Sequence, residues 1–499
     1  MRRAIRPVEA NLSTADSNPA LSAAAVRRGI AVVLGAVLIG LAAIAAAAAE
    51  VGVEGFWYGP LKAGPVELRL GLSIAKSADG TLRGAMDSLD EGVLDVPMDE
   101  VRIADRAVSF TIKRLAISYQ GTLSTDGQTL TGIFTQGSAA LPFTLQRTDK
   151  RVGMGRPQHP KRPYPYIEEA VSYQSGPTRL AGTLTRPQGD GPFPVVLLIT
   201  GSGPQDRDET IMGHKPFLVL ADHLTRKGIA VLRVDDRGVG GSSGSVIEAG
   251  IEEQADDVLA GIAYLKNRKD IRADRIGLIG HSEGGMVAPL AATRSKDVAF
   301  IVLLAAPGVT GEEVLLRQFE DAAKANPKLT ADDLAKARDR QRRGFAILRD
   351  GSDVATMRKR LLQQEAEEVA KLSDADRRAY EASKAQAIQQ LEISLTPWFR
   401  SFARYDSAAV LARVAVPVLA LNGDKDMQVA APDNPDAIAK ALRDGGNKDA
   451  TVKTLAGLNH LFQHSTTGAI AEYGRIEETF APQALEEVSA WLLARVGEP

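Results

Sequence analysis

From Val51 to Gln146 apolar and polar residues alternate in short segments, among them Val66 to Leu72, Val108 to Ile112, Ile117 to Tyr119 and Leu141 to Leu145, with Gly or Asp-Gly between them. A period of two turns one face of a strand to a core and the other to water, so residues 50–146 predict an all-β module. Strands this short bury their apolar side only by closing on themselves or by facing a second sheet, so a small barrel or a sandwich is expected. Gly55-Phe56-Trp57-Tyr58-Gly59 opens the module, with Trp57 placed for its core. The alternation stops over 147–166, where Pro157, Pro160, Pro163 and Pro165 stand among Lys and Arg, the composition of a semi-rigid linker.

Over 167–499 the grammar changes. Continuous β-branched runs occur at Val195 to Ile199, Ile229 to Val234, Arg275 to Ile279, Val298 to Leu304 and Val416 to Leu421, with helical patterns such as Glu252 to Lys266 between them. Strands without a polar face are buried on both sides, which predicts a mostly parallel sheet covered by helices, an α/β fold with its ligands at the strand C-termini. Over about 310–402 strand signals give way to charged, Ala-rich helical sequence, with helix starts at Thr330-Ala331-Asp332-Asp333 and Ser373-Asp374-Ala375-Asp376. An insertion of this length is too long for a plain loop, so a helical cap over the strand ends is expected; exposed helices with no role at a site are the alternative. Pro397-Trp398-Phe399, where the insertion rejoins the sheet, either lines an apolar pocket or simply packs.

Composition narrows the chemistry. With 499 residues, 44% hydrophobic and 24% charged, the chain is globular, and 60 Lys plus Arg against 62 Asp plus Glu leave no basic footprint for nucleic acid. Cysteine is absent, which excludes thiolate metal sites, disulfides and a Cys nucleophile. Arg27-Arg28 precedes an uncharged run from Gly29 to Ala49 that ends in small residues, the pattern of an export signal over 1–49. The run is also long enough to span a bilayer, so an uncleaved anchor is the alternative; either way the remainder is exported, periplasmic or secreted.

Gly-x-Ser-x-Gly is a sharp strand-to-helix turn that exposes a serine hydroxyl above a sheet. It occurs twice, at Gly280 to Gly284 and at Gly240 to Gly244. Ser282 follows the strand Arg275 to Ile279 and precedes a helix-compatible segment, whereas Ser242 follows Asp235-Asp236-Arg237-Gly238 and meets no apolar helix; Ser282 is the candidate nucleophile and Ser242 a loop residue. A serine needs an imidazole to take its proton and a carboxylate to orient that imidazole, in the order Ser, acid, His. Of six histidines only His460 and His464 lie beyond the last strand, and His460, in the loop after Ala450 to Leu455, is the better placed. Asp426 and Asp424 both follow Val416 to Leu421; Asp426 is preferred because it is presented after the turn. For the oxyanion, the amide of Glu283 supplies one donor, and Ser202, in the glycine-rich loop after Val195 to Ile199, is the candidate for the other.

Together these residues resemble the α/β-hydrolase superfamily, and within it bacterial carboxylesterases and serine-peptidase-like hydrolases with a Gly-His-Ser-Glu-Gly-Gly elbow. The resemblance covers about 166–497 and includes Gly201 to Arg207 and Asp236 to Gly240. It implies an eight-stranded, mostly parallel sheet, a Ser282–Asp426–His460 triad, an acyl-enzyme, and neither metal nor organic cofactor. Thr200 stands where many relatives carry histidine. The pentapeptide at Trp57 resembles the Gly-x-Trp opening of lipocalin-like barrels. The expected activity is hydrolysis of small or medium acyl esters, small molecules being the only expected partners beyond a membrane reached through the anchor. A serine peptidase, aminopeptidase-like, is the alternative, and a non-catalytic ligand-binding protein the third.

Overall fold

The computed structural model describes residues 52–497 except 65, 78, 154 and 325–329. The proposed signal or anchor over 1–49 lies outside the described residues.

Nine strands form first: β1 (Gly55–Ala63), β2 (Val66–Lys76), β3 (Leu82–Ser88), β4 (Val93–Pro97), β5 (Glu100–Ala104), β6 (Ala107–Ile112), β7 (Ile117–Leu123), β8 (Thr129–Gln136) and β9 (Ala139–Thr148). They build one antiparallel sheet in the order β4-β3-β2-β1-β9-β8-β7-β6-β5. The sandwich alternative is therefore corrected: a single sheet curls round one core instead of two sheets facing each other. Alternate residues Leu70, Leu72 and Ile74 of β2 and Val108, Phe110 and Ile112 of β6 point into that core. The curl brings β3 close to β5 at the far edge of the sheet, where a Cβ built at Gly84 would stand 3.2 Å from Val101 Cγ2. Trp57 is 1% exposed in this core; its Nε1–H donates to Val53 O at 2.9 Å, and the Arg147 guanidinium lies 4.3 Å from its ring.

Eight further strands follow: β10 (Ile167–Ser175), β11 (Thr178–Arg186), β12 (Phe193–Ile199), β13 (Ala230–Val234), β14 (Ile271–His281), β15 (Val298–Leu304), β16 (Val418–Gly423) and β17 (Ala450–Leu455). Their order is β10-β11-β13-β12-β14-β15-β16-β17. The first two pairings are antiparallel and the other five parallel. One face is covered by α2 (Ile251–Lys266), α3 (Gly284–Arg294), α9 (Ser407–Leu411) and α10 (Asp433–Asp444); the other is covered by α1 (Pro216–Arg226) and α12 (Pro482–Val496). A four-residue turn of helix, α11, spans Ile470–Tyr473. Strands β12 to β16 are almost wholly buried, which is why their sequences carry no polar alternation.

Between β15 and β16 run α4 (Gly311–Lys324), α5 (Ala331–Arg349), α6 (Val354–Ala370), α7 (Asp374–Ser394) and α8 (Pro397–Arg404). They share a small core of their own, including Leu316, Phe345, Leu348, Met357 and Leu395. Thr330 caps α5 by accepting from Asp333 N–H at 3.2 Å, while the Asp333 carboxylate accepts from Thr330 N–H at 3.0 Å, a reciprocal pair that fixes the helix start.

The Pro-rich segment is docked along its length. The Gln158 amide accepts from the N–H groups of Thr479 and Phe480 and donates to Phe480 O. Arg156 donates to the carbonyls of Met212 and Ile476, each at 2.8 Å. The β-module reaches the same two loops. A Cβ built at Gly92 would stand 2.0 Å from Met212 Cα, and one at Gly474 would stand 2.1 Å from Asp90 O, so only glycine permits these backbone approaches.

Trp57→Ala would remove the largest side chain of the β-module's core. The expected loss is about 3–5 kcal/mol, read as a lowered unfolding midpoint in a chain that still carries its second sheet; an unchanged midpoint would count against this core.

Candidate active site

Four loops leave the C-terminal ends of neighbouring strands. Ile199, the last residue of β12, pairs with Gly280 of β14, so the loop from Thr200 and the turn at Ser282 start side by side. Leu421 and Gly423 of β16 pair with Lys453 and Leu455 of β17, which places the segments leading to Asp426 and His460 next to each other.

Ser282 sits at φ +52° between β14 and α3, a left-handed conformation that costs a side-chain-bearing residue energy and lifts its hydroxyl off the sheet. The turn closes because its neighbours lack side chains. A Cβ at Gly280 would fall 2.0 Å from Gly284 O, and one at Gly284 would fall 2.2 Å from Ile199 O. Ser282 N–H donates to Leu304 O at 2.8 Å, while its hydroxyl has no hydrogen bond to another described residue. Ser242, by contrast, is consumed by its loop: its hydroxyl donates to Asp235 O at 2.7 Å and accepts from Ala181 N–H at 2.9 Å.

His460 and Asp426 meet directly. His460 Nδ1 lies 2.8 Å from Asp426 Oδ2, and Asp426 Oδ1 accepts from the amides of Gln428 and Val429 at 2.8 Å each. Three donors suit a carboxylate, so Nδ1 donates to Asp426, and Nε2 is the ring nitrogen left without a hydrogen bond to another described residue. Both side chains are almost fully buried. Asp424 turns away and accepts from Gly457 N–H at 2.7 Å. His464 is half exposed and pairs with Glu478 at 2.9 Å. No hydrogen bond joins Ser282 to His460, a contact that in unliganded enzymes is often long and tightens with substrate. The rings of His460 and of His281, the residue before Ser282, lie 4.8 Å apart.

The loop after β12 lies over Ser282: a Cβ at Gly201 would stand 3.3 Å from Ser282 Cβ. Gly201 N–H is occupied, donating to Glu209 Oε1 at 2.7 Å. The amides of Ser202 and Glu283 are engaged by no backbone or side-chain acceptor among the described residues. Sequence reading had no reason to single out Glu209, which is 2% exposed. The visible signal is the dense charge of Asp206-Arg207-Asp208-Glu209 directly after a strand-end glycine loop. Each member has its own partner: Asp206 caps Thr210, Arg207 forks onto Asp235, Asp208 pairs with Arg233 and Lys215, and Glu209 takes Gly201 and His281.

Two further carboxyls lie beside the site without a cation, Glu283 buried and Asp236 half-buried. Glu283 accepts from Gln254 Nε2–H at 2.8 Å and from the indole N–H of Trp398 at 2.9 Å, which ties the elbow to the last helix of the insertion. Trp398 thus serves a polar contact where sequence reading weighed only an apolar pocket or packing. Asp236 accepts from Thr200 Oγ1–H at 2.8 Å and Gln205 N–H at 2.9 Å. Burial pushes Glu283 up to about 7 against the pull of its two donors. Burial likewise raises Asp236 to about 7, with Glu283 and Glu209 adding to the rise. A cavity of about 60 Å³ opens here, walled by Ile199, Thr200, Val234, Asp236, Gln254 and Val258.

A carboxyl raised from 4.5 to about 7 on folding holds a proton that the unfolded chain releases, so its contribution to stability is present at low pH and is lost as pH rises through about 7. Glu283→Gln removes that titration and relaxes the rise at Asp236. The variant is therefore expected to gain on wild type in unfolding free energy between pH 5 and pH 8, by on the order of 3 kcal/mol at most. Parallel pH–denaturation curves would refute the assignment.

A family model described as serine aminopeptidase, S33, matches residues 215–466, half of the chain. Esterase EstD of Thermotoga maritima is 27% identical over 372 residues, covering 72% of this chain and 78% of that protein. Among solved structures, Est1E from Butyrivibrio proteoclasticus with ferulic acid bound is 17% identical, covers 66% of this chain and 99% of its own, and superposes with a TM-score of 0.40. An esterase of Pyrococcus furiosus is 15% identical, with 67% and 92% covered and a TM-score of 0.40. With the strand order, the elbow and the match over half its length in hand, the chain belongs to the serine aminopeptidase, S33, family of α/β hydrolases.

Proposed function

We propose that the protein hydrolyses carboxylic esters of small or medium acyl chains through a serine acyl-enzyme. Ser282 Oγ attacks the carbonyl carbon as its proton passes to His460 Nε2, and Asp426 holds and stabilises the imidazolium that forms. The carbonyl oxygen takes up the negative charge and is met by the amides of Ser202 and Glu283. Collapse of this intermediate expels the alcohol, which leaves with the proton from His460. Water then repeats the sequence: His460 takes its proton, its oxygen attacks the acyl carbon, and Ser282 departs with its proton restored.

The observation that carries this reading is the buried His460–Asp426 hydrogen bond, at the same strand edge that presents Ser282 on a strained turn. The likeness to Esterase EstD over most of both chains favours esters. A peptidase acting on free amino termini would need a carboxylate open to pair with the amine. Here Glu283 and Asp236 are committed to their own donors, and in the insertion Glu312 and Glu320 are paired with Arg349 and Arg338. The cavity beside Thr200, with Ile199, Val234 and Val258 in its walls, supports a short acyl group.

Turnover of p-nitrophenyl esters against aminoacyl anilides tests the substrate class; efficient anilide turnover, blocked when the substrate amine is acetylated, would replace the esterase by the peptidase. Ser282→Ala is expected to abolish fluorophosphonate labelling and to lower kcat by about 10⁴-fold or more. Undiminished labelling would refute the nucleophile. Asp426→Asn should lower kcat by about 10³–10⁴-fold, whereas Asp424→Asn should stay within about threefold of wild type; the reverse ranking would transfer the acid's role to Asp424.

A further inference from the structure

One buried pair outside the Ser282–His460–Asp426 set touches three of the four loops at the strand ends. His281 Nδ1 lies 2.9 Å from Glu209 Oε1, and its Nε2 lies 2.9 Å from the backbone oxygen of His460. The same Glu209 oxygen accepts Gly201 N–H at 2.7 Å. Both side chains are buried, Glu209 at 2% and His281 at 5% exposure.

The hydrogen-bond logic fixes the state of this pair. A peptide oxygen only accepts, so Nε2 of His281 carries a proton. Glu209 Oε1 already accepts from Gly201, so Nδ1 donates as well, and the ring is an imidazolium against a carboxylate. Burial opposes that charge, but the charge and hydrogen bond of Glu209, with the His460 carbonyl, outweigh it and raise His281 above its ordinary value. Glu209 is also held at φ +52°, as Ser282 is, and Phe462, two residues past His460, stands at +58°. Strain at three points round one site persists only where surrounding contacts over-determine the backbone.

We propose that Glu209 and His281 form a positioning pair for the hydrolysis proposed above: through Gly201 it sets the loop carrying Ser202, and through the His460 carbonyl it sets the base, both measured from the strand that carries Ser282. Neither residue touches the reacting atoms. His281 is bonded to the chain on one side and Glu209 on the other, so its ring works as a spacer. If the spacer is lost, the Ser202 amide and the His460 ring drift relative to the nucleophile while the binding cavity beside Gln254 is left intact. The loss therefore falls on the chemical steps.

This inference rests on the serine-hydrolase reading, and the test separates the two. Glu209→Ala, Glu209→Gln, His281→Asn and Ser282→Ala would be assayed with p-nitrophenyl acetate for kcat and KM separately, with fluorophosphonate labelling rates and unfolding midpoints alongside. Misplacement of about 1 Å can cost about 100-fold, the fall in kcat expected for Glu209→Ala with KM within about threefold. Glu209→Gln keeps an acceptor for Gly201 but loses the charge that sustains both His281 donors, and a fall of about tenfold is expected. In His281→Asn the amide nitrogen takes the place of Nδ1 and keeps Glu209 but releases the His460 carbonyl, so kcat and labelling rate fall together at near-constant KM. Should Glu209→Ala fail to fold, Glu209→Gln and His281→Asn decide. Folded variants with wild-type kcat, or a loss confined to KM, would overturn the positioning role, whereas turnover surviving in Ser282→Ala would overturn the serine-hydrolase reading itself.

Discussion

The register of the parallel strands is the constraint on which the site depends. A serine hydroxyl, an imidazole and a carboxylate contribute nothing to one another unless they are placed to within a fraction of an ångström, and in this chain they are separated by up to 178 positions, from Ser282 to His460. Ile199 opposite Gly280 and Gly423 opposite Leu455 reduce that search to short excursions from the ends of adjacent strands. Those strands are held by burial on both faces, so the register carries the stability of the whole core. A slip of one residue would exchange the side chains packed on the two faces and dismantle the site with the fold.

Around that edge the protein concentrates charge where water is scarce. Asp426, Glu209 and Glu283 are buried and Asp236 is half-buried, and each is met by donors specific to it: backbone amides and an imidazole for Asp426, an imidazolium and one amide for Glu209, side-chain and backbone donors for Asp236, and side-chain donors for Glu283. Buried carboxyls without such partners would be costly. The partners come from every element that surrounds the site, including Gln254 of α2 and Trp398 of α8. Polar satisfaction therefore links the insertion to the elbow more specifically than apolar packing would, because an indole N–H has one direction in which to point.

The β-module takes part in the same organisation at one remove. It rests on the stretches around Met212 and Gly474, which belong to the loops after β12 and after β17. These two loops are joined by His214, buried and held neutral well below the ordinary histidine range at about 4, whose ring bonds Tyr473 O at 2.8 Å and Thr479 Oγ1 at 3.0 Å. The β-module thus buttresses both loops from outside. Its own interior is filled by Trp57, Phe110, Tyr119, Phe134 and Phe143.

The amino-acid sequence by itself determined which strands are buried on both sides and the narrow set of groups that could do acyl chemistry. The continuous apolar runs could be nothing but interior strands, and six histidines with no cysteine left few bases and no thiol. The edge strand β10 escaped because its residues alternate as an antiparallel edge does, next to a proline-rich stretch that masks the signal. Only the tertiary structure shows that Asp426 meets His460 while Asp424 meets the Gly457 amide, since the two lie in one turn and differ in which way that turn points them. It alone revealed Glu209 and the twofold use of His281, because that ring bridges groups far apart in the chain, donating to Glu209, 72 residues away, and to the backbone oxygen of His460, 179 residues away. Local pattern reports the period of an element and the type of a side chain; which groups finally share a hydrogen bond is fixed by strand order and loop closure, and these belong to the folded chain as a whole.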